Sequence, residues 1–162
     1  MYKIKLLILL LISITNFSCT TNDNKKFNHK YSLAYISGEY DGLTLKNYLL
    51  TNLKNLDIYD KNSKYEIQSS IEHSSNLFIT NIDNTSDREK IITKLAFKII
   101  DKEKKCLILV DQISISQFYI YASTDKFLSN KRALKKIKRD NTEIAVKQFI
   151  KELKKNITEC DV

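Results

Sequence analysis

Proline and tryptophan are absent from the 162-residue chain, and glycine occurs only at Gly38 and Gly42. Phosphate-cradling loops and dinucleotide fingerprints need several glycines at fixed spacing, so neither can be built here. Collagen-like, proline-rich and glycine/serine-linker modules are excluded on the same ground. Histidine is limited to His29 and His73, and cysteine to Cys19, Cys106 and Cys160. That set is too small for a zinc site of ordinary spacing, and no metal or other cofactor is expected. Acidic residues are also in deficit, with 19 Asp and Glu against 27 Lys and Arg, a net charge of +8. Hydrophobic residues nevertheless make up 43% of the chain, enough for one domain with a core.

Residues 1–18 read as a leader. Lys3 and Lys5 form a basic start, and Leu6 to Ile14 is apolar except for Ser13. This run is too short to span a hydrocarbon core, which takes about 20 residues. Small Ser18 stands at the cleavage position of a secretory signal. An ordinary signal peptide cut near Ser18 is one reading. The other is a bacterial lipoprotein signal in which Cys19 becomes the lipidated N-terminus. A cysteine directly after a small residue at the end of the apolar run favours the second, although Asn16 replaces the usual apolar residue. Thr21 is not Asp, so no inner-membrane retention signal of that kind is present.

Loss of Lys3 and Lys5 leaves a mature charge of +6, and much of it is concentrated. Eleven Lys and Arg lie between Lys126 and Lys155, against Asp140, Glu143 and Glu152. An exported chain meets no nucleic acid. Its available polyanions are lipid and glycolipid phosphates and the acidic faces of envelope proteins. A solvated helix face in a lysine-rich chain is an equal reading for any single lysine. Arginine is different: there are only three, Arg88, Arg132 and Arg139, so composition does not explain their positions.

Residues 19–30 are polar and suit a tether, leaving residues 31–162 as a single domain. Tyr31 to Ile36 reads as a short strand, and Asp41-Gly42 as a break. Leu45, Leu49, Leu53 and Leu56, with Tyr48 beside them, then recur at helical spacing from about Thr44 to Leu56, with Thr44 or Asp41 as the cap. Tyr65, Ile67 and Ile71 alternate with polar residues as in a half-buried strand, and His73 continues that face as a hydrogen-bonded residue. Asn81 to Asp87 is a polar turn. A strand follows with Ile91, Leu95, Phe97 and Ile99 inward, and Lys94 and Lys98 outward.

Asp101 to Lys105 is a hairpin-like connection. From Cys106 to about Tyr121, Leu107, Leu109, Ile113, Ile115 and Tyr119 share one parity. The last helix runs from about Ser129 to Ile157, with Leu134, Ile137, Asn141, Ala145, Phe149, Leu153 and Ile157 as its stripe. The order β-α-β-β-β-α predicts an α+β domain: a mostly antiparallel sheet of about four strands with two helices on one face. Phe97, Ile99, Ile113, Ile115, Phe149 and Leu153 are the expected core.

No catalytic constellation emerges, and an enzyme is not expected. Asp57, Asp60, Asp83 and Asp87 lie in polar, turn-like surroundings, where a solvated carboxylate is the default. A Cys–His nucleophile would need Cys106 or Cys160 with His29 or His73, and the apolar neighbours of Cys106 point to burial. Cys106 and Cys160 are read as separate thiols, because nothing in the sequence brings them within disulfide reach.

The segment Arg88-Glu89-Lys90-Ile91-Ile92-Thr93-Lys94-Leu95-Ala96-Phe97-Lys98-Ile99-Ile100-Asp101 resembles a strand of the lipopolysaccharide-assembly lipoprotein family LptE. Its alphaproteobacterial branch is the most similar. Phe118-Tyr119-Ile120-Tyr121-Ala122 and Arg139-Asp140-Asn141-Thr142-Glu143-Ile144-Ala145 resemble further family segments. The likeness covers about residues 31–158. It implies an outer-membrane lipoprotein at the periplasmic face, held through its N-terminal lipid. Such a protein partners an LptD-like β-barrel and contacts lipopolysaccharide on its way to the outer leaflet. Arg88, Lys131, Arg132, Lys135 and Arg139 are the candidate contacts to glycolipid or barrel, with Arg88 expected to lead a strand at a sheet edge and Arg139 equally placed to brace its helix. An accessory lipoprotein of an envelope ABC-type lipid transport system is the alternative.

The leader reading has a direct test. Cys19→Ser should abolish metabolic acyl labelling and release the domain into the soluble periplasmic fraction. A buried acyl chain contributes about 0.8 kcal/mol per CH₂, so its loss is easily seen. Unchanged labelling would remove Cys19 as the attachment point.

Overall fold

The computed structural model describes residues 27–79, 87–120 and 127–154. Six elements follow one another: β1 (Ser32–Ser37), α1 (Glu39–Asn55), β2 (Tyr65–Ile79), β3 (Asp87–Asp101), β4 (Cys106–Ile120) and α2 (Phe127–Leu153). They form one four-stranded sheet in the order β1-β2-β3-β4. β1 runs parallel to β2, and the β2–β3 and β3–β4 pairs are antiparallel. The parallel pair requires a crossover, which α1 supplies. Both helices pack on the same face of the sheet, and the α+β architecture is the one expected.

Strict alternation explains the sheet. On β3, Ile91, Leu95, Phe97 and Ile99 are buried, while Lys94 and Lys98 are exposed. Tyr65, Ile67 and Ile71 on β2 and Ile113 on β4 complete the buried face. Leu45, Leu49 and Leu53 of α1 cover it from one side, while Leu56, the C-cap, is exposed and lies outside the core; Ala145, Val146, Phe149, Ile150 and Leu153 of α2 cover it from the other. Phe97 and Phe149 stack with centroids 3.9 Å apart and planes within 4° of parallel. Ile115 packs against this core while only partly buried.

Four sequence expectations need correction. The first helix begins at Glu39, ahead of the Asp41-Gly42 break that was expected. Its N-cap is Gly38, with φ 123° and no side-chain cap, so neither Thr44 nor Asp41 has that role. Thr44 Oγ1 instead donates to the Tyr40 carbonyl. Gly42 is a packing glycine: a Cβ there would sit 3.0 Å from the Ser37 carbonyl oxygen. The bare backbone lets the first turn of α1 rest on the end of β1.

The second correction concerns Leu107. A register shift between Ile99 and Ile100 inverts the parity of β4's first residues, leaving Leu107 54% exposed. The third is that Cys106 is disulfide-bonded, with its partner sulfur outside the described residues. Tyr119 at the end of β4 bonds Asn130 at the start of α2. The helix therefore returns toward the Cys106 end of the sheet, a proximity that sequence separation conceals. Finally, Arg88 lies on β3, an interior strand, and so does not lead a sheet edge.

The β3–β4 turn is fixed by Asp101, whose carboxylate accepts from the backbone N–H groups of Glu103 (2.9 Å) and Lys104 (3.0 Å). These donors, Lys104 first, hold its carboxyl below the usual carboxylate range. The leader with Cys19, the 81–86 part of the polar turn, Tyr121 with Ala122, and the tail with Ile157 and Cys160 lie outside the described residues.

Phe149→Ala removes half of the central aromatic stack and should cost about 3–5 kcal/mol in urea unfolding. A loss below about 1 kcal/mol would mean that α2 contributes little at this position.

Candidate functional site

A cleft of about 610 Å³ opens between the start of α1, the middle of β2, the start of β3 and the first half of α2. Its walls include Tyr40, Asp41, His73, Glu89 and Ile91. Along α2 it is lined by Lys131, Lys135 and Lys138, which follow i, i+4, i+7 spacing and share one helical face. Lys135 Nζ sits 5.1 Å from the centroid of the Tyr40 ring, a cation–π arrangement that joins the two helices across the opening. Three ammonium groups face two carboxylates, so the cleft favours an anionic occupant.

A polar chain runs beneath it. Asn141, fully buried in the apolar stripe of α2, donates through Nδ2 to Thr93 Oγ1 at 3.2 Å. Thr93 Oγ1 lies 2.8 Å from His73 Nδ1, and His73 Nε2 lies 3.7 Å from Asp41 Oδ2. Thr93 accepts from Asn141, so its own hydroxyl hydrogen is free to go to His73 Nδ1. That leaves the imidazole proton on Nε2, facing Asp41. The chain thus has one direction, from α2 through β3 and β2 to α1, and a neutral imidazole fits it. Only 4% of the His73 side chain is exposed. Burial lowers its pKa below the usual 6.5, with Asp41 opposing and Lys138 reinforcing that shift. Asn141 Oδ1 is buried without a hydrogen-bond partner, so the chain ends on an unsatisfied acceptor.

This arrangement is not a nucleophilic triad. Thr93 is fully buried, and no reacting atom can approach its hydroxyl. Among the described residues no group of His, Cys, Asp and Glu could hold a metal ion.

The five candidate contact residues do not converge. Lys131 and Lys135 line the cleft, joined by Lys138, which sequence reasoning missed. Arg132 and Arg139 are exposed but outside its walls. Arg139 lies close enough to Tyr48 of α1 to act on its hydroxyl electrostatically. Arg88 is exposed, and its neighbour Glu89 lines the cleft, so alternation turns Arg88 to the sheet's open face. The available signal for Lys138 was its spacing from Lys131 and Lys135. For the polar chain it was Asn141 standing in an otherwise apolar helix stripe.

The fold belongs to a class seen in envelope lipoproteins: a small mixed sheet covered on one face by two helices. Rare lipoprotein B from Shewanella oneidensis, of the LptE family, superposes with a TM-score of 0.63 at 12% identity, covering 77% of this chain and 93% of that one. A minor lipoprotein from Acinetobacter baumannii gives 0.58 at 14% identity, covering 82% and 96%. Lipoprotein B from Nitrosomonas europaea gives 0.58 at 11%, covering 80% and 85%. By sequence, the chain matches no family model and no curated protein. At these identities the likeness is one of fold.

Protonating His73 would place a second donor against the Thr93 hydroxyl and break the chain. Its lowered pKa means the unfolded state binds the extra proton first, so stability should fall as pH drops below about 6.5. Urea midpoints between pH 7 and pH 5 should decline for the wild type and stay flatter for His73→Asn. Parallel profiles would show that His73 does not titrate differently in the two states.

Proposed function

We propose that this protein is a lipid-anchored outer-membrane lipoprotein that partners an LptD-like β-barrel in the assembly and insertion of lipopolysaccharide. The observation that carries the reading is a fold shared with rare lipoprotein B over 93% of that chain, joined to a lipoprotein-type leader ending at Cys19. Residues 1–18 serve as signal, Cys19 takes the lipid, residues 19–30 form the tether, with its last residues from Phe27 packed on the domain, and residues 31–162 form the working domain. The activity is binding rather than catalysis. A small α+β domain with a cationic flank can occupy a polar barrel lumen, where inward-facing strand residues are hydrophilic.

Within this reading, the Lys131–Lys135–Lys138 cleft receives a phosphate or other anionic group of the glycolipid. Lysine ammonium groups bind such oxygens by charge-assisted hydrogen bonds. Arg132 and Arg139 extend the cationic surface along α2. Arg88, on the other side of the sheet, serves a separate contact with the barrel.

Two measurements test this. Mild crosslinking in cells followed by purification should recover a large outer-membrane β-barrel. Recovery of inner-membrane permease subunits instead would replace this reading with an accessory role in ABC-type lipid transport. In purified protein, Lys131→Gln with Lys135→Gln should weaken lipopolysaccharide binding about fivefold at low salt, with a smaller difference at high salt. Unchanged binding with an unchanged melting temperature would move the glycolipid contact away from the cleft.

A further inference from the structure

The sheet has two edges, and they differ. β1 is six residues long and short enough to offer little template for another strand. β4 is fifteen residues long and bonded to β3 on one side. Between Leu107 and Gln117 its other side meets no strand among the described residues. The usual guards are sparse there. β4 contains no proline or lysine, and its only charged residue, Asp111, is half-buried opposite Phe97 in register. Outward along it stand Leu107, Val110, Phe118 and Ile120, each more than half exposed.

We propose that the outer edge of β4 is a strand-addition site for an extended segment of a partner protein. A row of backbone N–H and C=O groups is satisfied fully by another strand, and its spacing selects for one. The chemistry of that strand can be read from β4 and its flanks. Ser114 and Ser116 in the centre and apolar residues toward the ends match an incoming alternation of apolar and hydroxyl side chains. The flanks are cationic. Lys105 lies exposed in the turn before β4, and the Tyr119–Asn130 bond brings Arg132, exposed and outside the cleft, to its far end. The segment is therefore neutral in its middle and acidic at both ends.

A second copy fits poorly. Two-fold antiparallel pairing of β4 with itself would set Lys105 of one copy against Arg132 of the other, at both ends. A closed barrel has no free strand to offer either, because all its strands are already paired. The donor is accordingly a loop, terminus or soluble segment. The proposal stands apart from the reading given under the proposed function.

The probe is a short synthetic peptide of alternating valine and serine with aspartates at both ends. One control carries lysines at the ends, and another has alternate backbone nitrogens methylated. The full chain in detergent is followed by amide hydrogen exchange. With the aspartate-ended peptide, β4 amides that exchange rapidly in the free protein should slow about tenfold or more. The lysine-ended peptide should bind about fivefold or more weakly, a preference that Lys105→Glu with Arg132→Glu should reverse. The methylated peptide should give no protection.

Equal protection by the methylated peptide would overturn strand addition in favour of side-chain docking. Indifference to the end charges would overturn the acidic partner. Concentration-dependent protection of β4 without peptide would assign the edge to a second copy, and no protection at all would remove the site.

Discussion

The stack of Phe149 on Phe97 sets the position of α2, and much of the remaining structure follows from that position. Two aromatic rings at 3.9 Å hold the second half of the helix against an interior strand, where the sheet cannot bend away. The first half then projects over β3 and β4 toward the start of α1. Asn141 arrives at Thr93, Asn130 at Tyr119, and Lys135 over the Tyr40 ring. Each polar contact needs placement within a fraction of an ångström. Apolar packing supplies that accuracy without directional demands of its own.

Much of this framework could be read from periodicity. The β3 pattern names its inward residues correctly, because one buried face forces a period of two. The α2 stripe is also correct at Asn141, Ala145, Phe149 and Leu153. Periodicity fails where local chemistry departs from regularity. Gly42 looks like a breaker but is required by the approach of α1 to Ser37, a tertiary fact. The shift at Ile99/Ile100 changes which residues face the core without leaving a mark in composition. Leu107 was assigned to the wrong face for that reason alone.

The candidate site was legible only in part. A cluster of cations in the last third of the chain is visible by counting. Which of them share a surface depends on how the helix is rotated. Rotation follows from the buried stripe, and it sends Lys131, Lys135 and Lys138 one way and Arg139 toward Tyr48. Arginine is the scarce cation of this chain, yet the cations lining the cleft are lysines. The His73 chain was half legible: a strand histidine with a hydrogen-bond partner was expected, but that partner lies twenty residues away on β3.

Tyr31 gives the N-terminal end of the domain a mechanical character. Its backbone N–H donates to Ile58 at 2.8 Å, and its carbonyl accepts from Asp60 at 2.9 Å. Its ring is buried and packs near Tyr65. The residues just before it are held as well: Phe27 packs against the core, the His29 ring meets that of Tyr65 at 4.6 Å, and the Lys30 carbonyl accepts from Ser63 Oγ. A pull on this end must break these contacts and both Tyr31 backbone bonds before β1 is reached. The fold thus grips the start of its first strand from the side, with rings and loop carbonyls acting as a clasp.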